Sequence, residues 1–158
     1  MDRGRTNRVK WYNEEEARWI MKIGYAYLVA DVLHRGHILH IKNCSNLCDY
    51  LICGILTDEA AMEKKPKPIV SFDERVELVS AIRYVSAVVC QDTYSPLKNC
   101  KTIKPDILFE CGTHEEMPAN DFVRSYGGKV IVMPYYSGQS STQIKRRVRD
   151  EKCDCCSS

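Results

Sequence analysis

Five short apolar runs, each followed by a stretch of helical or turn character, constrain this chain more than any other feature. They lie at residues 22–29, 50–56, 85–90, 107–111 and 129–133. The second, YLICGIL, is apolar throughout, without the alternation of a half-exposed strand. That pattern belongs to strands buried on both faces. Helical segments are expected at residues 36–48, 71–83 and 117–126, with a weak helix inside 95–104 and a basic helix closing the regular part of the chain. Ser71-Phe72-Asp73-Glu74 is a capping-box pattern that starts the second of these. Gly127-Gly128 stops the third.

Strands alternating with helices imply a parallel sheet covered on both faces. Right-handed crossovers then restrict the α/β topology to a Rossmann-like, doubly wound, five-stranded sheet. A length of 158 residues suits one domain. We place it at residues 21–150, between an N-terminal extension (1–20) and a Cys-rich tail (151–158).

Ligands of such sheets bind outside the carboxyl ends of the strands. His34, His37, Thr57, Gly112 and Ser140 all fall at such ends. The densest cluster is Asp31-Val32-Leu33-His34-Arg35-Gly36-His37, between the first strand and the first helix. Free N–H groups and the positive end of the helix dipole favour anions there. Gly36 lets backbone approach a ligand closely. Two imidazoles in that setting suit a phosphate whose charge grows during reaction. A zinc site of His34, His37 and His40 is disfavoured, because no neighbouring acid or Cys completes a convincing ligand set.

The formal net charge of +2 gives no strong polyanion-binding field. The basic cluster Lys145, Arg146, Arg147 and Arg149 reads as the solvated face of the terminal helix. No aromatic stacking platform accompanies it, so no nucleic-acid partner is expected. No apolar stretch reaches membrane-spanning length and no signal-peptide pattern opens the chain, so a soluble cytoplasmic protein is expected. Of the nine Cys, Cys53, Cys90 and Cys111 lie in or beside strand runs and read as small core residues. Cys44 and Cys48 are spaced to face the same way on a helix. The run Cys153 to Cys156 reads as a reduced tail rather than part of a disulfide framework.

The motifs, taken in order, resemble a known family. His34-Arg35-Gly36-His37 matches the HxGH signature of the nucleotidyltransferase superfamily, and Ser140-Ser141-Thr142 before a helix resembles its second signature. Between them, Thr57-Asp58-Glu59, Phe72-Asp73-Glu74-Arg75, Lys104-Pro105-Asp106 and Gly127-Gly128-Lys129 resemble successive segments of the small cytidylyltransferases. Aminoacyl-tRNA synthetases share HxGH, but they are far longer and carry a KMSKS-type loop that is absent here. The resemblance covers about residues 22–148. The usual Gly-Thr-Phe before Asp31 is Leu28-Val29-Ala30. The usual Arg-Thr ahead of the serine turn is Tyr135-Tyr136. The usual Gly-Asp-Asp-Trp after the fourth strand is Gly112-Thr113-His114-Glu115. The Ala-Asp and Ser-Ser-Thr variants are most similar to cytidylyltransferase domains joined to phosphoenolpyruvate phosphomutases.

The resemblance implies a magnesium-dependent transfer of CMP from CTP to a small phosphonate or phosphate monoester, with release of pyrophosphate. It implies that His34 and His37 bind the triphosphate and that Lys65 and Arg75 reach the substrate phosphates. Asp31 would brace the turn. Gly36 and Gly112 would line the nucleotide, and Ser140, Ser141 and Thr142 would hold the β and γ phosphates. His114, Glu115, Tyr135 and Tyr136 are the candidates for the acceptor. Magnesium would arrive on CTP rather than in a protein site. The acceptor leans to 2-hydroxyethyl- or 2-aminoethylphosphonate over glycerol 3-phosphate, phosphocholine or phosphoethanolamine. A homodimer with contacts around Arg83-Tyr84 is expected. An adenylyltransferase and a non-catalytic nucleotide-binding module are the alternatives.

Overall fold

The computed structural model describes residues 21–112 and 117–150. Five strands form one parallel sheet: β1 (Ile23–Leu28), β2 (Tyr50–Leu56), β3 (Ala87–Gln91), β4 (Ile107–Cys111) and β5 (Lys129–Met133). Among the described residues six helices accompany them: α1 (Arg35–Ser45), α2 (Asp58–Met62), α3 (Phe72–Ser80), α4 (Leu97–Ile103), α5 (Pro118–Ser125) and α6 (Ser141–Asp150).

The strand order is β3-β2-β1-β4-β5. The chain winds outward from β1 through β2 to β3, then crosses back to place β4 on the other side of β1. The switch point therefore lies between β1 and β4, and a crevice opens at their carboxyl ends. The expected doubly wound sheet is the fold observed.

Alternation along β1 divides the core. Ala26 packs with Ile41, Leu51, Cys53, Ile55, Val79 and Phe109 on the face covered by α1 and α3. Tyr25 and Tyr27 point the other way, toward Leu108, Cys100 and Val123 under α4 and α5. These two tyrosines keep their hydroxyls paired within the core: Tyr25 donates to Gln91 at 2.5 Å and Tyr27 to Glu110 at 2.6 Å. Pairing removes the penalty of burying a polar atom.

The element boundaries moved slightly from expectation. The first helix ends at Ser45, so Cys48 lies beyond it, with its thiol on the Cys44 carbonyl. Ser71 caps α3 with the reciprocal Ser71–Glu74 box, but the helix ends at Ser80 instead of running to 83. The weak helix in 95–104 is a regular α4. Cys90 is exposed, against the expectation of a core residue, because β3 is an edge strand. Cys53 is buried and Cys111 half-buried. The extension 1–20 and the tail 151–158 lie outside the described residues. Among the described residues no helix is long and apolar enough to cross a membrane.

Candidate active site

The crevice is built from the carboxyl end of β1 outward. The chain leaves β1 through Ala30 and Val32, both at positive φ (59° and 51°) and flanking Asp31. An L-residue held in the left-handed region costs about 1–2 kcal/mol. Such strain persists only where surrounding contacts over-determine it, and the contacts of Asp31 do so here. Its Oδ1 accepts from the Ile69 and Val70 amides, both at 3.0 Å. Its Oδ2 pairs with the Lys145 ammonium. Its carbonyl accepts from the Ser141 hydroxyl at 2.6 Å. Asp31 is buried, and burial works to raise its pKa. The hydrogen bonds from Lys145, Val70 and Ile69 outweigh this and hold the carboxyl below its usual range. One carboxylate thus ties β1 to the segment before α3 and to α6.

The two histidines follow at the start of α1. His34 is the N-cap: its Nδ1 accepts from the Gly36 amide at 3.0 Å. His37, one turn later, accepts the His34 amide on its own Nδ1 at 3.3 Å. This is a capping box made of two imidazoles. Because each Nδ1 is an acceptor, the proton of each neutral ring is assigned to Nε2. Burial pushes the His37 pKa down to about 3, helped by the neighbouring His34, His40 and Lys65. Burial lowers His34 as well. The pair therefore forms two neutral N–H donors, ring centroids 4.1 Å apart, at the positive end of an 11-residue helix.

Gly36 leaves room for the capping ring beside it. A Cβ there would sit 2.7 Å from His34 Cε1 and 3.1 Å from Tyr136 Cδ1. The Tyr136 ring therefore lies against the HxGH turn, although its loop is about a hundred residues away in sequence. Arg35 places its guanidinium 5.9 Å from the centre of that ring. Tyr135 is exposed.

At α6, Ser140 and Gln143 cap each other: the Gln143 amide donates to Ser140 Oγ at 3.2 Å, and the Ser140 amide to Gln143 Oε1 at 2.9 Å. With Ser141 tied to Asp31, two of the three signature hydroxyls hold the helix in place, and Thr142 is exposed. Lys65 is exposed on the flank of the site, near enough for its charge to depress His37. Gly112 ends β4 with its amide on the Met133 carbonyl at 3.3 Å. His114 and Glu115 lie outside the described residues.

Arg75 departs from the expectation that it reaches a substrate phosphate. Its side chain is fully buried. Nε donates to the Val70 carbonyl at 3.1 Å, and Nη1 to the Val29 and Leu56 carbonyls at 2.6 and 2.8 Å. Nη2 pairs with Asp58 at 2.7 Å. The guanidinium thus joins the ends of β1 and β2 to α2 and to the turn before α3. Lys145 departs in the opposite sense. Read as part of a solvated basic face, it instead lies half-buried against Asp31, whereas Arg146, Arg147 and Arg149 are exposed.

The model of the cytidylyltransferase-like proteins matches residues 29–147, which is most of the chain. The chain belongs to the cytidylyltransferase-like family. Among curated relatives, the bifunctional protein HldE of Syntrophotalea carbinolica is 34% identical over 124 residues, covering 76% of this chain and 25% of that protein. The bifunctional protein HldE of Hyphomonas neptunium is 33% identical over 131 residues, covering 80% and 27%. The chain thus spans about a quarter of the length of these curated relatives. Among solved structures, the lipopolysaccharide core biosynthesis protein from Thermoplasma volcanium GSS1 is similar with a TM-score of 0.64 at 24% identity, covering 73% of this chain and 97% of that one. Pantoate-beta-alanine ligase from Francisella tularensis has a TM-score of 0.50 at 16% identity, covering 82% and 70%. These two likenesses establish the shared fold.

Within this cytidylyltransferase-like domain, the HxGH turn, the α6 start, Tyr136 and Asp31 converge at one end of the sheet. Two members of that assembly were not marked by sequence, Arg35 and Lys145. Lys145 had one available signal: it lies four residues after Ser141, on the same face of α6.

Proposed function

We propose that the chain is a nucleotidyltransferase that moves CMP from CTP to a small phosphonate or phosphate monoester and releases pyrophosphate. The observation that carries this reading is the pair of neutral imidazoles with both Nδ1 atoms engaged by backbone N–H groups. Their Nε2–H groups are fixed donors at a helix N-terminus. A phosphoryl acceptor is already an anion and needs no general base. The site therefore needs donors and positive charge, and it is furnished with both.

In the proposed step an acceptor oxygen attacks the α-phosphorus in line. The bond from that oxygen to the α-phosphorus forms, and the bond from the α-phosphorus to the bridging oxygen breaks. Pyrophosphate leaves with the electron pair. His34 and His37 donate to the non-bridging and leaving oxygens. Lys65 offsets the repulsion between the two approaching anions. The Ser141 and Thr142 N–H groups at the start of α6, with the Thr142 hydroxyl, receive the terminal phosphates. Asp31 and Arg75 act one layer out, fixing the elements that carry these groups.

Among the described residues no three His, Cys, Asp or Glu side chains are grouped to hold a metal ion. Both oxygens of Asp31 are engaged by protein partners. A magnesium ion fits this donor set as a companion of the nucleotide's own phosphate oxygens. When bound there it would neutralise triphosphate charge.

The choice of CTP rests on the ordered cytidylyltransferase-like motifs. The phosphonate acceptor rests on the Ala30-Asp31 and Ser140-Ser141-Thr142 variants. The test is pyrophosphate release with each of the four nucleoside triphosphates across 2-hydroxyethylphosphonate, 2-aminoethylphosphonate, glycerol 3-phosphate, phosphocholine and phosphoethanolamine. CTP with a phosphonate should give the highest kcat/KM. A 10²-fold preference for ATP would move the assignment to adenylyl transfer. An equal preference for a phosphate monoester would replace the acceptor and leave the reaction class standing.

A further inference from the structure

We propose that Arg35, seated on the ring of Tyr136, is the side chain that grips the departing pyrophosphate end of the nucleotide; this rests on the nucleotidyltransferase reading.

The site must balance a triphosphate and a phosphoryl acceptor with positive charge. Both histidines are neutral donors. Arg75 is buried with its donors on carbonyls and Asp58. Lys145 is paired with Asp31. The loop from Pro134 to Ser140 brings no charged residue of its own. Of the cations left, Lys65 lies near enough for its charge to act on His37 and Arg35 belongs to the HxGH turn itself, and among the described residues neither has a carboxylate partner. Lys65 belongs to the segment between α2 and α3. Arg35 is the first residue of α1, and its guanidinium leans over Tyr136, four residues ahead of Ser140.

Tyr136 is set in position by two glycines. A Cβ at Gly36 would meet its Cδ1 at 3.1 Å, and a Cβ at Gly138 would meet its Cζ and Oη at 2.6 Å. A side chain at Gly138 would force the ring to move, and one at Gly36 would press on it. A guanidinium resting on an aromatic face loses mobility while its planar N–H fork stays open at the edge. That fork matches two phosphate oxygens at once. Stacked on a ring of the loop that enters α6, the guanidinium is tied to the segment whose helix start would receive the terminal phosphates. The division is then Lys65 on the acceptor side and Arg35 on the leaving-group side.

Three variants test this: Arg35→Ala, Arg35→Lys and Tyr136→Leu. Calorimetry reads the affinity for inorganic pyrophosphate and for CMP and AMP, steady-state kinetics reads KM for nucleotide and acceptor, and circular dichroism reads the fold. Arg35 is exposed, so the fold should be kept. Arg35→Ala should weaken pyrophosphate at least tenfold and change the affinity for the monophosphates and the acceptor KM by less than twofold. Arg35→Lys, which lacks the planar fork, should recover only part of the loss. Tyr136→Leu should reproduce a smaller loss confined to pyrophosphate. Unchanged pyrophosphate affinity in Arg35→Ala overturns the proposal. So does a rise confined to the acceptor KM, which would put Arg35 on the other side. If the unaltered protein binds neither pyrophosphate nor any nucleotide, the transferase reading fails first and the role of Arg35 with it.

Discussion

Replacing Arg75 by Ala should cost stability before it costs chemistry. The side chain is fully buried, and four hydrogen bonds fix it to Val29, Leu56, Val70 and Asp58. Removing one partner of a buried ion pair costs about 3–5 kcal/mol, because the other charge is left uncompensated. Asp58 keeps 25% of its side-chain surface in water, which places the ion-pair share near the lower end. The carbonyls of Val29 and Leu56 also lose a charged donor, and an unsatisfied buried acceptor costs about 1–3 kcal/mol. Water entering the vacated space would recover part of that. The expected total is about 4 kcal/mol, against the 5–15 kcal/mol typical of a whole domain. Urea unfolding followed by circular dichroism measures it. Arg75→Lys should recover little, since one ammonium cannot span the same carbonyls. If Arg75→Ala loses less than about 1 kcal/mol while kcat collapses with the fold intact, Arg75 is a phosphate ligand and the structural assignment is wrong. Lys65→Ala is the contrasting control: it should leave the urea midpoint unchanged and lower activity.

Four further outcomes are expected. His37→Ala should lower kcat by roughly 10²–10³, as for loss of one preorganised donor, and cost only about 1 kcal/mol of stability through the lost cap; a folded variant of normal activity would refute its role. In a ring-nitrogen NMR titration His37 should remain neutral well below pH 6.5, since burial places its pKa at about 3. The folded state then binds that proton less readily than the unfolded chain, so the contribution to stability is complete above about pH 6.5 and is lost as pH falls toward 3; a titration near 6.5 would contradict the buried geometry. Val32→Asn should raise stability by roughly 0.5–1 kcal/mol, because Asn tolerates the left-handed conformation that Val32 is held in; a lower thermal midpoint would show that the valine side chain matters more than the strain. We propose that the protein dimerises through the turn around Arg83-Tyr84, so light scattering should give twice the chain mass of 18.2 kDa, and a single chain mass at micromolar concentration would refute it.

The sheet was legible because buried parallel strands are written as continuous apolar runs, and YLICGIL is one of them. The HxGH turn was legible because its parts are contiguous: strand end, glycine and two histidines within one turn. What escaped was information not carried by neighbouring side chains. Three of the four Arg75 partners are backbone carbonyls, which any residue supplies, so no pattern marked this arginine as buried rather than free. The Asp31–Lys145 pair joins residues 114 positions apart, and in sequence Lys145 is one of several cations on a basic helix. Cys90 looked like a core residue because strand order, which makes β3 an edge, is not written in β3 itself. Tyr136 was suspected for the acceptor, yet its ring lies against Gly36, a contact that only the folding of the loop before α6 onto α1 creates.

The central claim is transfer at the α-phosphorus, and phosphorus NMR of a turnover mixture containing ¹⁸O-labelled acceptor, CTP and magnesium tests it most directly. The account predicts a new phosphorus–oxygen–phosphorus linkage between acceptor and CMP with the label in the bridge, together with unlabelled pyrophosphate. A mixture yielding CDP and a phosphorylated acceptor, or CMP and pyrophosphate with the acceptor untouched, would contradict it.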